Sequence, residues 1–109
     1  MSRINLINSM NKILVTGANG FVGSSLCETL RHRGVDFVPA VRNAGLSGQI
    51  SVGDLSTDTD WTAALEGCDV VMHLAARVHV MTDSASDPLA AFRAVNVDAT
   101  LNLARQALA

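Results

Sequence analysis

Apolar and polar residues alternate in blocks along this chain, and the blocks predict alternating strands and helices. Short apolar runs that end at glycine or at polar residues are typical of buried parallel strands, whereas a four-residue spacing is typical of helices. The predicted strands are residues 12–17, 35–42, 49–55 and 68–76, and the predicted helices are residues 21–33, 57–65 and 88–109. This order predicts an α/β fold with a parallel sheet and right-handed crossovers.

Single residues predict where the helices begin and end. Gly34 follows the first helix as a terminating glycine. Asp58 or Thr59 is a candidate cap for the short second helix, and Asp87 followed by Pro88 is a typical start for the last one. The apolar face predicted for the first helix consists of Val22, Leu26 and Leu30.

The last predicted helix has two apolar stripes about half a turn apart. The first stripe comprises Phe92, Val95, Ala99 and Leu103, with Asn96 inside it. The second stripe comprises Val97, Leu101, Ala104 and Leu108. One face can lie on the sheet, and the other needs a second copy or further chain. We therefore expect a homodimer, formed through this helix or through the exposed edge of the sheet.

The composition of the chain argues against several classes of function. A formal net charge of -2 provides no basic face for nucleic acid, and no apolar run approaches the length of a membrane span. Residues 1–11 lack the apolar core of a signal peptide and are predicted to be an N-terminal tail. Cys27 and Cys68 lie far apart in apolar surroundings, which favours free thiols in a reducing cytoplasm and gives no metal site.

Three glycines follow the first strand at intervals of three residues: Gly17, Gly20 and Gly23. The start of a helix carries unpaired backbone N–H groups and the positive end of the helix dipole, so it favours a phosphate. Glycine lets the backbone approach such a ligand and permits a positive φ in the turn. The loop therefore predicts a site for the pyrophosphate of a dinucleotide, with an incidental structural turn as the alternative.

The segment "TGANGFVG" resembles the TGxxGxxG fingerprint of extended short-chain dehydrogenases/reductases. Three more segments match that family in register: "GDL" at 53–55, "DVVMHLAA" at 69–76 and "DPLAAFRAVNVDATLNLARQA" at 87–107. The resemblance is greatest to nucleotide-sugar epimerases, dehydratases and 4-keto-sugar reductases. It implies a partial Rossmann fold with about four parallel strands in the order 3-2-1-4, flanked by helices. Residues 12–109 would then be the N-terminal part of a dinucleotide-binding domain.

The resemblance also implies which residues meet the cofactor. The pyrophosphate loop comprises Gly17, Gly20 and Gly23, with the amides of Phe21 and Val22 as donors. The adenine side comprises Asp54 and Leu55. The ribose and nicotinamide side comprises Leu74, Ala75, Ala76 and Arg77. Asn96 matches an asparagine common in the following helix, and its alternative role is a buried polar side chain bonded to nearby backbone.

The end of the second strand departs from the commonest family pattern. Members that prefer NAD usually carry an acid there, which holds the ribose 2′-hydroxyl. Val41 stands at that position, and Arg42 follows it. An arginine can pair with a 2′-phosphate, so the sequence favours NADP over NAD, with a solvated surface arginine as the alternative. By the same resemblance, Arg77 and His79 are candidate neighbours of a sugar substrate.

The catalytic pair of the family is not in this sequence. Hydride-transfer members use a tyrosine base and a lysine four residues later, in a Tyr-x-x-x-Lys pair. The chain contains no tyrosine, and Lys12 is its single lysine. We therefore predict no catalytic residue and no catalysis by the chain alone. Two alternatives remain at this stage: a non-catalytic dinucleotide-binding module and an inactive gene fragment.

Overall fold

The computed structural model describes residues 12–76 and 87–108, so the predicted tail at 1–11 lies outside it. The strands are β1 Lys12–Thr16, β2 Asp36–Val41, β3 Ile50–Ser51 and β4 Val70–His73. The helices are α1 Phe21–His32, α2 Thr62–Leu65, α3 Pro88–Arg93 and α4 Ala99–Leu108, with a π-helical turn, Ala94–Asp98, between α3 and α4. Within these residues, no helix combines the length and hydropathy that crossing a bilayer requires.

The four strands form one parallel sheet in the order β3-β2-β1-β4. Leu14 of β1 lies between Val38 of β2 and Val71 of β4. This order and the parallel pairing confirm the fold predicted above. The carboxyl ends of β1, β2 and β4 meet at one edge of the sheet, where parallel α/β folds place ligands.

Each face of the sheet is covered by a separate apolar core, because successive side chains of a strand point to opposite faces. Leu14 packs with Trp61 and Leu103 on the face covered by α2 and α4. Val15 packs with Cys27 and Leu30 on the face covered by α1. Leu14 and Val15 are both fully buried. β1 is therefore held between the two cores, and this fixes the position of the glycine turn that follows it.

The first helix ends as predicted at Gly34, which has a φ of +68°. The Val35 amide donates to the Leu30 carbonyl at 3.0 Å, and the Gly34 amide donates to the Arg31 carbonyl at 3.2 Å. These are the two hydrogen bonds of a Schellman motif, which closes the last carbonyls of a helix. Both Leu30 and Val35 also belong to the core under α1.

The predicted apolar face of that helix is partly wrong. Val22 is 61% exposed, and the buried positions are Gly23, Cys27 and Leu30. The reason lies at Gly23, where the helix backbone packs against the turn at Gly17 and leaves no room for a side chain. This contact sets the rotation of the helix and turns Val22 towards solvent.

The elements after β2 are shorter than predicted. β3 pairs with β2 only through Ile50 and Ser51. Thr59 does not cap a helix, because its hydroxyl accepts the Ser56 amide at 3.0 Å and donates to the Asp54 carbonyl at 3.1 Å. α2 begins only at Thr62, whose amide donates to Asp60. Residues 52–61 therefore form a folded connection rather than strand and helix.

The last predicted helix is interrupted by the π-helical turn. Its predicted start is confirmed, since Asp87 accepts the Ala90 amide at 3.1 Å. Ala99 and Leu103 of the first stripe are buried. Leu101 and Leu108 of the second stripe are 49% and 88% exposed, so the structure leaves that stripe uncovered.

Candidate functional site

The turn after β1 brings two backbone segments into direct contact. Gly17 has a φ of +64°, a conformation that glycine adopts far more readily than other residues. A Cβ at Gly17 would lie 2.7 Å from the Ala75 nitrogen and 2.9 Å from the Leu74 carbonyl carbon. The first glycine is therefore required by its conformation and by the segment that leaves β4.

The other two glycines form the start of α1. Gly20 occupies the N-cap, and its amide donates to the Gly17 carbonyl at 3.0 Å. A Cβ at Gly23 would overlap that same carbonyl oxygen. Phe21 and Val22 point their side chains to solvent, and their amides belong to the first turn, where an α-helix has no carbonyl four residues back. The start of α1 thus presents bare backbone.

A cleft of about 770 Å³ opens at this edge of the sheet. Its walls are the glycine turn, the end of β2, the connection after β3 and the segment after β4. The predicted cofactor residues that line it are Gly17, Gly20, Arg42, Asp54, Leu55, Leu74, Ala75 and Ala76. The lining residues that the sequence did not identify are Thr16, Asn19, Ala40, Val41, Asn43, Val52, Gly53, Trp61 and Val95.

The remaining predicted residues lie beside the cleft or outside the described residues. Phe21, Val22 and Gly23 continue from the glycine turn into α1 without lining the cleft. Asn96 follows the lining residue Val95 in the π-helical turn. Arg77 and His79 fall outside the described residues. Most of the missed lining residues neighbour a predicted one in sequence, but Ala40, Val52 and Trp61 do not.

An exposed ion pair stands at the rim of the cleft. The Arg42 Nε lies 3.0 Å from the Asp54 Oδ1. Both side chains are largely in solvent, so the pair contributes little to stability. Its effect is on the electrostatics of the rim, where a cation and an anion lie side by side at the end of β2.

A hydrogen-bonded chain links β1, β4 and α4 beneath the cleft. The Thr16 Oγ1 lies 2.6 Å from the His73 Nδ1 and accepts the amides of Leu74 and Ala75 at 3.0 and 3.1 Å. The His73 Nε2 lies 3.1 Å from the Thr100 Oγ1. Burial lowers the pKa of the His73 imidazole. His73 is thus a residue of β4 with hydrogen-bond partners at both ring nitrogens.

Two carboxamides of α4 hold the connection after β3. The Asn102 Nδ2 donates to the carbonyls of Ser56 and Thr59 at 3.3 and 3.0 Å. The Gln106 Nε2 donates to the Thr59 carbonyl at 2.8 Å, and its Oε1 accepts the Trp61 amide at 2.8 Å. The wall that carries Asp54 is therefore anchored to the last helix.

The two cysteines show no sign of reactivity or metal binding. Cys27 is buried and Cys68 half-buried, and neither is in a disulfide. Burial raises the pKa of both thiols, which keeps them protonated at neutral pH. Across residues 12–76 and 87–108, no three metal-ligating side chains cluster.

Comparison with known proteins places the chain in a family. Residues 13–109 match the model of the NAD dependent epimerase/dehydratase family. The chain is 43% identical over 103 residues to the UDP-glucose 4-epimerase of Vibrio cholerae. The matching region covers 88% of the chain and 30% of that protein. It is 34% identical over 105 residues to the 3-beta-hydroxysteroid dehydrogenase of Mycolicibacterium neoaurum, which covers 90% of the chain and 29% of that protein.

A solved structure agrees with these sequence relatives. MoeE5 in complex with UDP-glucose and NAD has a TM-score of 0.70 and 33% identity to the chain, over 89% of the chain and 33% of MoeE5. The chain thus spans about a third of the length of its relatives. Fold, glycine turn and family match agree with the resemblance noted in the sequence, and the chain belongs to the NAD dependent epimerase/dehydratase family.

Proposed function

We propose that this chain binds a nicotinamide dinucleotide in the cleft, as the cofactor-binding part of an enzyme that acts on nucleoside-diphosphate sugars. Residues 12–109 would form the N-terminal part of its dinucleotide-binding domain. The observation that carries this proposal is the backbone cradle at Gly17, Gly20 and Gly23. Cβ atoms at Gly17 and Gly23 would collide with backbone, so the cradle fits a ligand that needs close backbone approach.

The start of α1 would hold the pyrophosphate. The amides of Phe21, Val22 and Gly23 belong to the first helical turn, and the glycine N-cap brings no side chain to them. Unpaired amides together with the positive end of the helix dipole favour a doubly charged group at this position. Phe21 and Val22 would contribute only their backbone amides, because their side chains are exposed.

The two remaining walls would hold the ends of the dinucleotide. Asp54 and Leu55 would meet the adenine side, and the ribose and nicotinamide side would comprise Leu74, Ala75, Ala76, Arg77 and Asn96. When bound, the nicotinamide supplies hydride transfer. The chain itself would bind and orient the dinucleotide.

We further propose that Arg42 favours NADP over NAD. Arg42 lines the cleft at the end of β2, and its guanidinium carries further N–H groups besides the Nε beside Asp54. A 2′-phosphate would add a second anion to this cation, whereas NAD offers only a hydroxyl. Arg42→Ala should weaken NADPH binding about tenfold and leave NADH binding unchanged. Arg33→Ala, an exposed arginine at the end of α1, is the matched control.

A sugar nucleotide is the proposed substrate class, since UDP-glucose appears in the names of two relatives. The chain alone should not turn it over, because it has no tyrosine to serve as base. Calorimetry of the 109-residue chain with NADPH and NADH tests the binding proposal. Heat that saturates supports it, and no heat at millimolar cofactor would refute it. Turnover of UDP-glucose by the chain would contradict the predicted inactivity.

A non-catalytic dinucleotide-binding module is the alternative, and it would bind cofactor with the same residues; its free thiols would suit a reducing cytoplasm. It differs in needing no sugar nucleotide. UDP-glucose titrated into the cofactor-saturated chain, and into any longer chain that the gene encodes, separates the two proposals. Binding of the sugar nucleotide supports the enzyme assignment, and its absence in both chains supports the module.

We also propose that a second copy covers the uncovered stripe of α4. Leu101 and Leu108 are exposed there with Val97, and isolated apolar stripes of this kind are typical of helix–helix interfaces. Leu101→Arg should convert a dimer to a monomer in light scattering. Ala107→Arg, elsewhere on the same helix, should leave the dimer intact. A wild-type monomer at high concentration would refute this.

A further inference from the structure

The hydrogen-bonded chain beneath the cleft has a direction that its two ends determine. At one end, the Thr16 hydroxyl accepts two backbone amides, those of Leu74 and Ala75. At the other end, the Thr100 hydroxyl donates to the Asn96 carbonyl at 3.1 Å. A backbone amide can only donate and a carbonyl can only accept, so the polarity of both ends is fixed.

Donor counting then assigns the protons in between. A hydroxyl has one hydrogen and two acceptor sites, and the two amides fill both acceptor sites of Thr16. Its hydrogen must therefore point to the His73 Nδ1, at 2.6 Å. The Nδ1 is an acceptor, so a neutral His73 carries its proton on Nε2 and donates it to Thr100, at 3.1 Å. The Thr16 hydroxyl, both His73 nitrogens and the Thr100 hydroxyl all have partners of the correct polarity in this arrangement alone.

We propose that His73 is a positioning residue of the dinucleotide cleft and acts as the neutral Nε2–H tautomer. The inference rests on the proposed function, since the cleft that it shapes is the proposed cofactor site. His73 does not line the cleft. It acts through Thr16, which is 1% exposed and holds the amides of the lining residues Leu74 and Ala75. It also acts through Thr100, which bonds the π-helical turn that bears Val95.

The contact at the glycine turn makes this positioning matter. A Cβ at Gly17 would collide with the Ala75 nitrogen, so the glycine turn and the segment after β4 are already in close contact. If His73 presented a proton on Nδ1, the Thr16 hydrogen would have no acceptor, and one of the two amides would lose its partner. The segment after β4 would then shift away from the glycine turn. The groups that meet the His73 nitrogens, Thr16 from β1 and Thr100 from α4, carry no charge.

Two substitutions of His73 test the roles of Nδ1 and Nε2 separately. His73→Asn keeps an acceptor near the Nδ1 position, and His73→Gln keeps a donor near the Nε2 position. In the full 109-residue chain, His73→Gln should speed hydrogen exchange at the Leu74 and Ala75 amides and weaken NADPH binding about tenfold. His73→Asn should restore most of the amide protection and most of the affinity. Equal behaviour of both variants and wild type would overturn the inference.

The tautomer itself is measured on the wild-type chain, so the test survives a variant that fails to fold. Two-bond ¹H–¹⁵N correlations of the His73 ring at neutral pH should show protonation at Nε2 only. An Nδ1–H tautomer or an imidazolium would overturn the inference. Failure of the wild type to bind NADPH would refute the proposed function alone, because the tautomer and the amide exchange report the positioning without cofactor.

Discussion

Two glycines with nearly the same positive φ allow a matched test of the cleft. Gly17 and Gly34 have φ values of +64° and +68°. A Cβ at Gly34 would meet nothing within 4 Å, whereas a Cβ at Gly17 would meet the backbone of Leu74 and Ala75. Alanine at either position carries the same conformational penalty. Only alanine at Gly17 adds a collision between the two walls of the cleft.

The expected magnitudes follow from this difference. A left-handed conformation costs an alanine about 1–2 kcal/mol, and the stiffer unfolded chain offsets about 0.4–1 kcal/mol. Gly34→Ala should therefore destabilise the chain by about 1 kcal/mol. Overpacking typically costs a further 1–3 kcal/mol. Because the colliding atoms at Gly17 are backbone, they cannot rotate away, and Gly17→Ala should cost about 2–4 kcal/mol in total.

The assay uses Trp61, which is the only tryptophan in the sequence and is 1% exposed. Its fluorescence follows urea unfolding, and linear extrapolation gives the free energy of unfolding for each variant. Calorimetry with NADPH is run in parallel, where Gly17→Ala should abolish binding and Gly34→Ala should leave it unchanged. Gly45→Ala, at an open position without a positive φ, controls for the substitution itself.

Equal losses in the free energy of unfolding of Gly17→Ala and Gly34→Ala would refute the predicted collision at Gly17. That result would mean that the segment after β4 moves away from the glycine turn at no cost. The proposed cradle would then lack the rigid wall on which both the cofactor site and the role of His73 depend. Loss of NADPH binding in Gly34→Ala would equally contradict the assignment of the site.

Three further predictions concern stability. Leu103→Ala should lower the free energy of unfolding in urea by about 2–5 kcal/mol, because Leu103 is 3% exposed. Leu108→Ala, at an exposed position, should change it by less than about 0.5 kcal/mol, and similar losses in both variants would contradict the described core. Gln106→Ala should cost about 1–3 kcal/mol because the Trp61 amide loses its acceptor and the Thr59 carbonyl loses a donor, whereas Arg105→Ala, at an exposed neighbour, should change the free energy of unfolding by less than about 0.5 kcal/mol. Because the folded pKa of His73 lies below its ordinary value of 6.5, its stability contribution is complete above pH 6.5 and is lost as pH falls through the folded pKa. In thermal melts from pH 7 downwards, the Tm of His73→Asn should fall less steeply with pH than the Tm of the wild type. An identical fall in both would refute this pH-dependent contribution of His73.

The sequence predicted the cradle well because its signals are local. A strand, a turn and a helix start lie within a few residues of Gly17, and each signal is a property of its own neighbours. The same holds for the Schellman glycine Gly34 and the start at Asp87. The sheet order followed from the resemblance, whose four motifs correspond to successive parts of one fold.

The walls of the cleft could not be predicted in the same way, because distant residues fix them. Asn102 and Gln106 contact the connection after β3 from more than 40 residues away. Thr59 looks like a helix cap in sequence, but those carboxamides hold it in a turn instead. The rotation of α1 is also tertiary, since the contact between Gly23 and the turn at Gly17 decides it.

The last helix supports both walls of the cleft, and this explains why its position matters beyond packing. On one side, Thr100 meets His73 and so reaches the segment after β4. On the other side, Asn102 and Gln106 hold the wall that carries Asp54. The ten residues of α4 form one continuous helix, so a shift of α4 would displace both walls together. The cleft is therefore set by one strand, one glycine turn and one helix rather than by its lining residues separately.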